Sequence, residues 1–341
     1  MKGFQKECNI RCAVIGYGGA FNMGKVHLDQ MQAAGMKPVA VVEIDASRLE
    51  VAKSDFPGIQ IFTTIGSMLK EAKPDLVTII TPHNTHAELS MKCLESGASV
   101  VCEKPMAITL EECDRMIAVA ESKDLLLSVY HNRHWDGCIL EAVDRIRNKD
   151  EIGEVFRVEA HMGGFSQPGD WWRSSRSISG GIHYDWGVHL IEYALQVINS
   201  KVVEVSAFSK EGVWQTKWGK DTNQDELTAI VRFANGSLLN LRITHLDSEP
   251  PKGEVVFTGT AGKYFMTQNE FELVQVRGDE KTIKRGKNRP AETEKYYLNI
   301  AAALSGKAEL VITPDWSRRT MEILALATRS AAEGRALLVD S

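Results

Sequence analysis

The sequence predicts an α/β protein in two parts: a parallel, doubly wound sheet first, then an α+β domain with a large, open, mostly antiparallel sheet. Three observations predict this. Short apolar, β-branched runs alternate with helical patterns up to residue 130. A glycine cluster follows the first of these runs, at Gly16, Gly18, Gly19 and Gly24. Beyond residue 150 the rhythm changes to strand patterns joined by short turns, with Asn235-Gly236 as a hairpin signal.

In the first part, residues 10–15 form an apolar strand and 24–34 a helix closed by Gly35. Residues 38–42 form the second strand and end at Glu43. A helix over 47–54 follows, then strands at 59–62 and 76–80. Residues 85–96 are helical and Gly97 stops them; 100–102 form a buried strand ending at Glu103-Lys104-Pro105. Thr109 with Glu112 is a capping-box pattern that opens a helix over 109–123, and 125–130 is the last strand of this part. Strands separated by helices of this length specify right-handed parallel crossovers. The second part begins with a helix over 137–148. Strands follow at 155–161, 202–208, 227–233, 237–244, 254–258 and 271–276. A helix over 183–198 interrupts them, and helices over 292–304 and 316–332 close the chain. The boundary between domains is placed at 130/131, giving 1–130 and 131–341.

A chain of 341 residues is long enough for about two domains. Its charged fraction of 25% and hydrophobic fraction of 43% exclude a disordered chain. A net charge of −5 without a basic run argues against a nucleic-acid footprint. Residues 1–7 lack the apolar core of a signal peptide, and no apolar run is long enough to cross a bilayer, so a soluble, cytoplasmic protein is expected. The six cysteines show no C-x-x-C pair. Reduced thiols are expected, with no metal; the Cys8/Cys12 spacing is only a weak metal signal.

The glycine cluster sits where a strand-to-helix turn holds a nucleotide pyrophosphate. Gly16, Tyr17, Gly18, Phe21, Asn22, Met23 and Gly24 are the expected loop contacts, with Gly24 standing in for the glycine that Phe21 displaces. A bare tight turn is the competing reading. A carboxylate at the end of strand two, Glu43, accepts hydrogen bonds from ribose hydroxyls and repels a 2′-phosphate, which favours NAD over NADP. Asp45 can fill the same role, and Arg48 can reach a phosphate, so NADP stays possible. Thr81, Pro82 and His86 follow the strand at 76–80 on the same edge, although Thr85 also suits a helix cap.

Lys104 ends a buried strand, where open α/β sheets bind ligands. Asp185 and His189 lie four residues apart, on one face of a helix. Lysine, histidine and aspartate near a nucleotide site are suited to moving a proton while a cofactor moves a hydride. The plainer readings are a solvated lysine and a helix pair that only supports its own turn. Trp171-Trp172, among Asp170, Arg173 and Arg176, offers an aromatic face suited to a sugar ring. His183 is a further candidate for substrate contact.

Taken together, Gly16-x-Gly18…Gly24-x-x-His27, Thr81-Pro82-x-x-x-His86, Glu103-Lys104-Pro105, Asn132-Arg133, Trp172-Arg173, Gly180-Gly181-x-x-x-Asp185-x-Gly187-x-His189 and the run ending at Gly334 resemble the glucose-fructose oxidoreductase/inositol dehydrogenase/rhizopine catabolism (Gfo/Idh/MocA) family over nearly the whole chain. The resemblance implies an N-terminal Rossmann domain for NAD(P) and a C-terminal domain that carries substrate residues and mediates oligomerisation. It implies that Lys104 touches nicotinamide ribose and substrate hydroxyl, with Glu103 beside it at the cofactor. It makes Asp185 and His189 the catalytic pair and implies substrate contacts for Asn132, Arg133, Trp172 and Arg173. A cis peptide at Lys104-Pro105 is also implied. Two features depart from the pattern: the lengthened loop over 19–23, and Glu192 where many members carry Asp.

The expected function is therefore hydride transfer between nicotinamide and a secondary alcohol of a sugar, polyol or inositol, by a homodimer or homotetramer. The region 212–223, with Trp214 and Trp218, is a candidate contact between subunits. Alternatives are a lyase or epimerase that uses NAD transiently, reduction of a different carbonyl, and a catalytically silent NAD-sensing regulator.

Overall fold

The computed structural model describes residues 9–339; the leader reading at 1–7 and the thiol of Cys8 lie outside them. The first strands are β1 (Arg11–Ile15), β2 (Lys37–Val42), β3 (Gln60–Phe62), β4 (Leu76–Ile79), β5 (Ser99–Cys102) and β6 (Leu127–Val129). Between them run α1 (Met23–Ala33), α2 (Ala46–Asp55), α3 (Ile65–Glu71), α4 (His86–Glu95) and α5 (Leu110–Ser122). The strands pair in parallel in the order β3-β2-β1-β4-β5-β6. This is a Rossmann sheet, whose ligand edge lies at the carboxyl ends of its strands. β4 and β5 are buried at every position, as strands covered on both faces must be.

Beyond residue 131 come α6 (Gly137–Val143), continued by one π turn over Asp144–Asn148, then β7 (Val155–Gly163), α7 (Arg176–Ser179), α8 (His183–Val197), β8 (Val202–Lys210), β9 (Glu226–Phe233), β10 (Leu238–Thr244), β11 (Val255–Gly259), β12 (Gly262–Met266), β13 (Glu270–Arg277) and β14 (Glu280–Lys287). The chain closes with α9 (Lys295–Leu304), α10 (Pro314–Glu333) and β15 (Leu337–Leu338). Nine strands form one sheet in the order β14-β13-β12-β11-β7-β10-β9-β8-β15. Among the described residues its pairs are antiparallel except β7 with β10. α8 packs on β7 and β10, and its Gly187 lies against Leu241 of β10 and Leu324 of α10.

The two compact units are residues 9–131 with 294–318, and residues 132–293 with 319–339. The sequence-based boundary assigns 294–318 to the second part, whereas the structure returns it to the first. The cause is aromatic: Tyr296 and Tyr297 of α9 are fully buried against Tyr130, and Ser128 Oγ meets the Tyr296 hydroxyl at 3.0 Å and donates to the carbonyl of Ile312 at 2.8 Å. Among the described residues no helix is long and apolar enough to cross a membrane.

The capping box at α5 forms as expected. Thr109 Oγ1 accepts from Glu112 N at 3.2 Å, and Glu112 Oε2 accepts from Thr109 N at 3.1 Å. Thr109→Ala removes one of these caps and is expected to lower stability by about 1 kcal/mol, read from urea unfolding.

Candidate active site

The loop between β1 and α1 is built by close approach. Gly16 has φ +101°, and a Cβ there would lie 2.0 Å from the carbonyl oxygen of Ile80. A Cβ on Gly24 would meet the Tyr17 ring at 2.5 Å and Gly16 O at 2.8 Å, so Gly24 does fill the role of the third glycine. Gly18 faces open space, Phe21 is exposed, and Asn22 caps α1 in the left-handed region at φ 50°. A loop with glycine at 16, 18, 19 and 24, running into a helix start at Met23, fits a pyrophosphate.

Glu43 ties this loop to the end of β2. Its Oε2 accepts from Tyr17 N at 2.6 Å, and its Oε1 from Ile44 N at 2.7 Å and Asp45 N at 3.1 Å. Arg48, from α2, donates to Tyr17 O at 2.9 Å and to Asn22 Oδ1 at 3.0 Å. Asp45 serves as the cap of α2, accepting from Ser47 N. The lengthened loop is thus held from α2 as well as from β2.

At the next strand end, Thr81 and Thr85 hydroxyls meet at 2.7 Å, and Thr85 donates to Pro82 O. His86 is fully buried; its Nδ1 lies 2.7 Å from Pro105 O and its Nε2 2.9 Å from Thr81 O. Burial lowers its pKa, and the two carbonyls oppose that. His86 therefore links the loop after β4 to the loop after β5. That second loop carries Glu103, Lys104 and a cis Lys104-Pro105 bond. Glu103 turns inward: Oε1 lies 3.2 Å from His27 Nε2, and Oε2 accepts from Lys104 N at 2.9 Å. Burial disfavours its charge, yet His27 and Lys104 hold its carboxyl below the usual range.

In the second unit, α8 opens with His183 and carries Asp185 in its first turn, where the helix dipole favours an acid. His189 follows one turn later, 5% exposed, and the ring of Trp186 meets it edge-on at 5.6 Å. Arg133 lies over that indole at 4.7 Å and donates to Asp136 at 2.8 Å; Tyr193 donates to the same carboxylate at 2.7 Å. Asn132 opens the same turn, over Asn132–Trp135. Arg173 lies over Trp171 and Trp172 at 4.9 and 5.0 Å and pairs with Asp185 at 3.5 Å. Trp172, Arg173, Asp185 and the Asp185 helix are thus one assembly. His183 is different. It is fully buried, with Nε2 2.9 Å from Thr328 Oγ1 and 3.2 Å from Leu324 O, and it secures α8 to α10. Glu192, 1% exposed, uses its extra methylene to reach His134 Nδ1 at 2.5 Å and accepts from Gln196 at 3.0 Å.

Sequence reasoning missed Tyr297, Thr78 and the inward role of His27. His27 Nδ1 is 2.7 Å from the Tyr297 hydroxyl, which lies 3.1 Å from Thr78 Oγ1. The Gly24-x-x-His27 spacing was a signal for His27; a tyrosine 270 residues away carried none.

Comparison with known proteins gives matches along the chain. Residues 10–131 match the model described as oxidoreductase family, NAD-binding Rossmann fold, and 140–265 match the GFO/IDH/MocA C-terminal domain. Oxidoreductase YdgJ of Escherichia coli (strain K12) is 27% identical over 343 residues, covering 95% of this chain and 96% of its own. The scyllo-inositol 2-dehydrogenase (NADP(+)) IolW of Bacillus subtilis (strain 168) is 24% identical, covering 100% and 99%. Among solved structures, an NAD-binding protein from Listeria innocua superposes with TM-score 0.81 at 26% identity, covering 96% of each chain.

His183 supplies a test of this packing. Burial pushes its pKa from 6.5 down to about 4, against the pull of the Leu324 carbonyl. Between those values the unfolded chain takes up a proton that the folded chain does not, so stability falls as pH falls from 6.5 to 4. Urea unfolding at pH 7 and pH 4.5 should show wild type losing about 2 kcal/mol more than His183→Gln over that interval. Equal losses would place His183 in a more solvated setting.

Proposed function

This chain belongs to the Gfo/Idh/MocA family of NAD-binding oxidoreductases, and we propose that its own reaction is hydride exchange between nicotinamide and a secondary alcohol of a sugar, polyol or inositol. The observation that carries this reading is Lys104, a lysine held at the carboxyl end of β5 on the ligand edge of the nucleotide-binding sheet. The Asp185–His189 pair on α8 supports it, as does similarity to a scyllo-inositol 2-dehydrogenase.

Oxidised nicotinamide, when bound, accepts the hydride. The side chains handle the proton. His189 takes the hydroxyl proton as general base and returns it in the reverse direction. Asp185 favours the protonated ring that results, and Arg173 pairs with its carboxylate at 3.5 Å. The ammonium of Lys104 stabilises the developing alkoxide. Asn132, Arg133, Trp172 and Arg173 orient the substrate; the indole faces suit the apolar side of a sugar ring. Gly16, Tyr17, Gly18, Phe21, Asn22, Met23 and Gly24 would hold the pyrophosphate, and Glu43 would accept from the adenosine ribose hydroxyls, which favours NAD. Arg48, from α2, donates to the same loop and leaves room for NADP. Thr81, Pro82, His86 and Glu103 shape the nicotinamide end. The working enzyme is a cytoplasmic homodimer or homotetramer assembled through the nine-stranded sheet.

The test is a 340 nm absorbance screen of NAD and NADP with inositols, aldoses, polyols and sugar acids, and with ketoses in reverse. Turnover is expected with a neutral polyol or inositol. His189→Ala should lower kcat by about 10²- to 10⁴-fold, and Lys104→Ala should abolish measurable turnover. Unchanged turnover of His189→Ala at every pH would remove it from this role. Tight NAD binding with no turnover on any substrate would contradict the reading.

A further inference from the structure

The first unit contains a polar chain that is fully buried at three of its members and ends on the carboxylate next to Lys104. Thr78 lies on β4, His27 on α1 and Tyr297 on α9, and all three are 0% exposed. The side chain of Glu103, at the end of β5, is 13% exposed. The direction of the hydrogen bond at Glu103 follows from chemistry. A carboxylate only accepts, so His27 Nε2 carries the proton that faces Glu103 Oε1 at 3.2 Å. The Tyr297 hydroxyl, kept protonated by burial, lies 2.7 Å from His27 Nδ1. Thr78 Oγ1 lies 3.1 Å from the phenol oxygen and 3.8 Å from Met31 Sδ. The chain ends on a carboxylate whose second oxygen takes the main-chain N–H of Lys104 at 2.9 Å.

Four separate stretches of sequence thus converge on one peptide group. Core hydrophobes would fill this volume without the desolvation cost of four polar groups. What a polar chain adds is direction: it fixes where Glu103 points, and Glu103 fixes the peptide from which the Lys104 side chain departs. His86 holds the far side of the same loop through Pro105 O at 2.7 Å.

We propose that His27 and Tyr297 are positioning residues that act through Glu103 to hold Lys104 in its working orientation. The proposal rests on the reading that Lys104 takes part in the reaction. It also assigns Glu103 to holding the loop rather than to contacting the cofactor.

The experiment follows Lys104 directly. Wild type, Tyr297→Phe, His27→Leu and His27→Gln are treated with trinitrobenzenesulfonate, and the labelling rate of each lysine is read by peptide mass mapping. Near-UV circular dichroism verifies folding, and Tyr297→Phe keeps the ring contacts if His27→Leu does not fold. Tyr297→Phe and His27→Leu should speed labelling of Lys104 about fivefold or more with other lysines unchanged. They should lower kcat about 10- to 100-fold at little cost in KM or in NADH affinity measured by fluorescence. His27→Gln, whose amide can replace the Nε2 donor, should recover most of both. Wild-type labelling and turnover in folded Tyr297→Phe and His27→Leu would overturn the proposal. If Lys104→Ala retains turnover, the functional reading falls, while the labelling rates still decide the positioning.

Discussion

A carboxylate brought into the interior at a strand end has to be answered by donors, and around Glu103 the first unit is arranged to supply them. One oxygen meets a histidine from α1, and the other meets the next main-chain amide. The demand reaches further: His27 needs Tyr297, and Tyr297 comes from a helix that returns to this unit from the far end of the chain. The same logic recurs at Glu43, whose two oxygens accept from three main-chain amides and tie the glycine loop to β2. In both places a buried or half-buried acid organises backbone, and the loops so organised lie on the edge where a parallel sheet meets its ligand.

The second unit solves a related problem with rings and cations. Trp186 orients against His189, Arg133 lies over Trp186, and Asp136 with Tyr193 holds Arg133. Arg173 is caught between two indoles and Asp185. Each guanidinium thus lies beside a carboxylate and over an aromatic face.

Much of the architecture was legible because it rests on local pattern. The alternation of buried strands and helices gave the Rossmann sheet, and the Thr109–Glu112 spacing gave a capping box that forms as expected. The helix expected over 183–198 is observed over His183–Val197. Elements with weak patterns escaped. β14 is exposed along nearly its whole length and rich in lysine, so no alternation marks it; β12 opens on glycine; α3 is only seven residues long. Position was legible where local pattern fixes it: Gly24 closes the glycine loop, Lys104 follows β5, and Asp185 lies in the first turn of α8. His183 and His86 drew notice as histidines near motifs, yet burial turns both toward main-chain carbonyls. The Tyr297–His27 contact depends on tertiary packing across 270 residues, and no spacing rule reaches that far.

The most direct test of the central claim follows the hydride itself. A substrate found to turn over is prepared with deuterium on the carbinol carbon, and the reduced nicotinamide is analysed by mass spectrometry. Hydride transfer predicts one deuterium at nicotinamide C4 for each molecule of ketone formed. Deuterium appearing in solvent, or remaining in a product formed without labelled cofactor, would contradict the account.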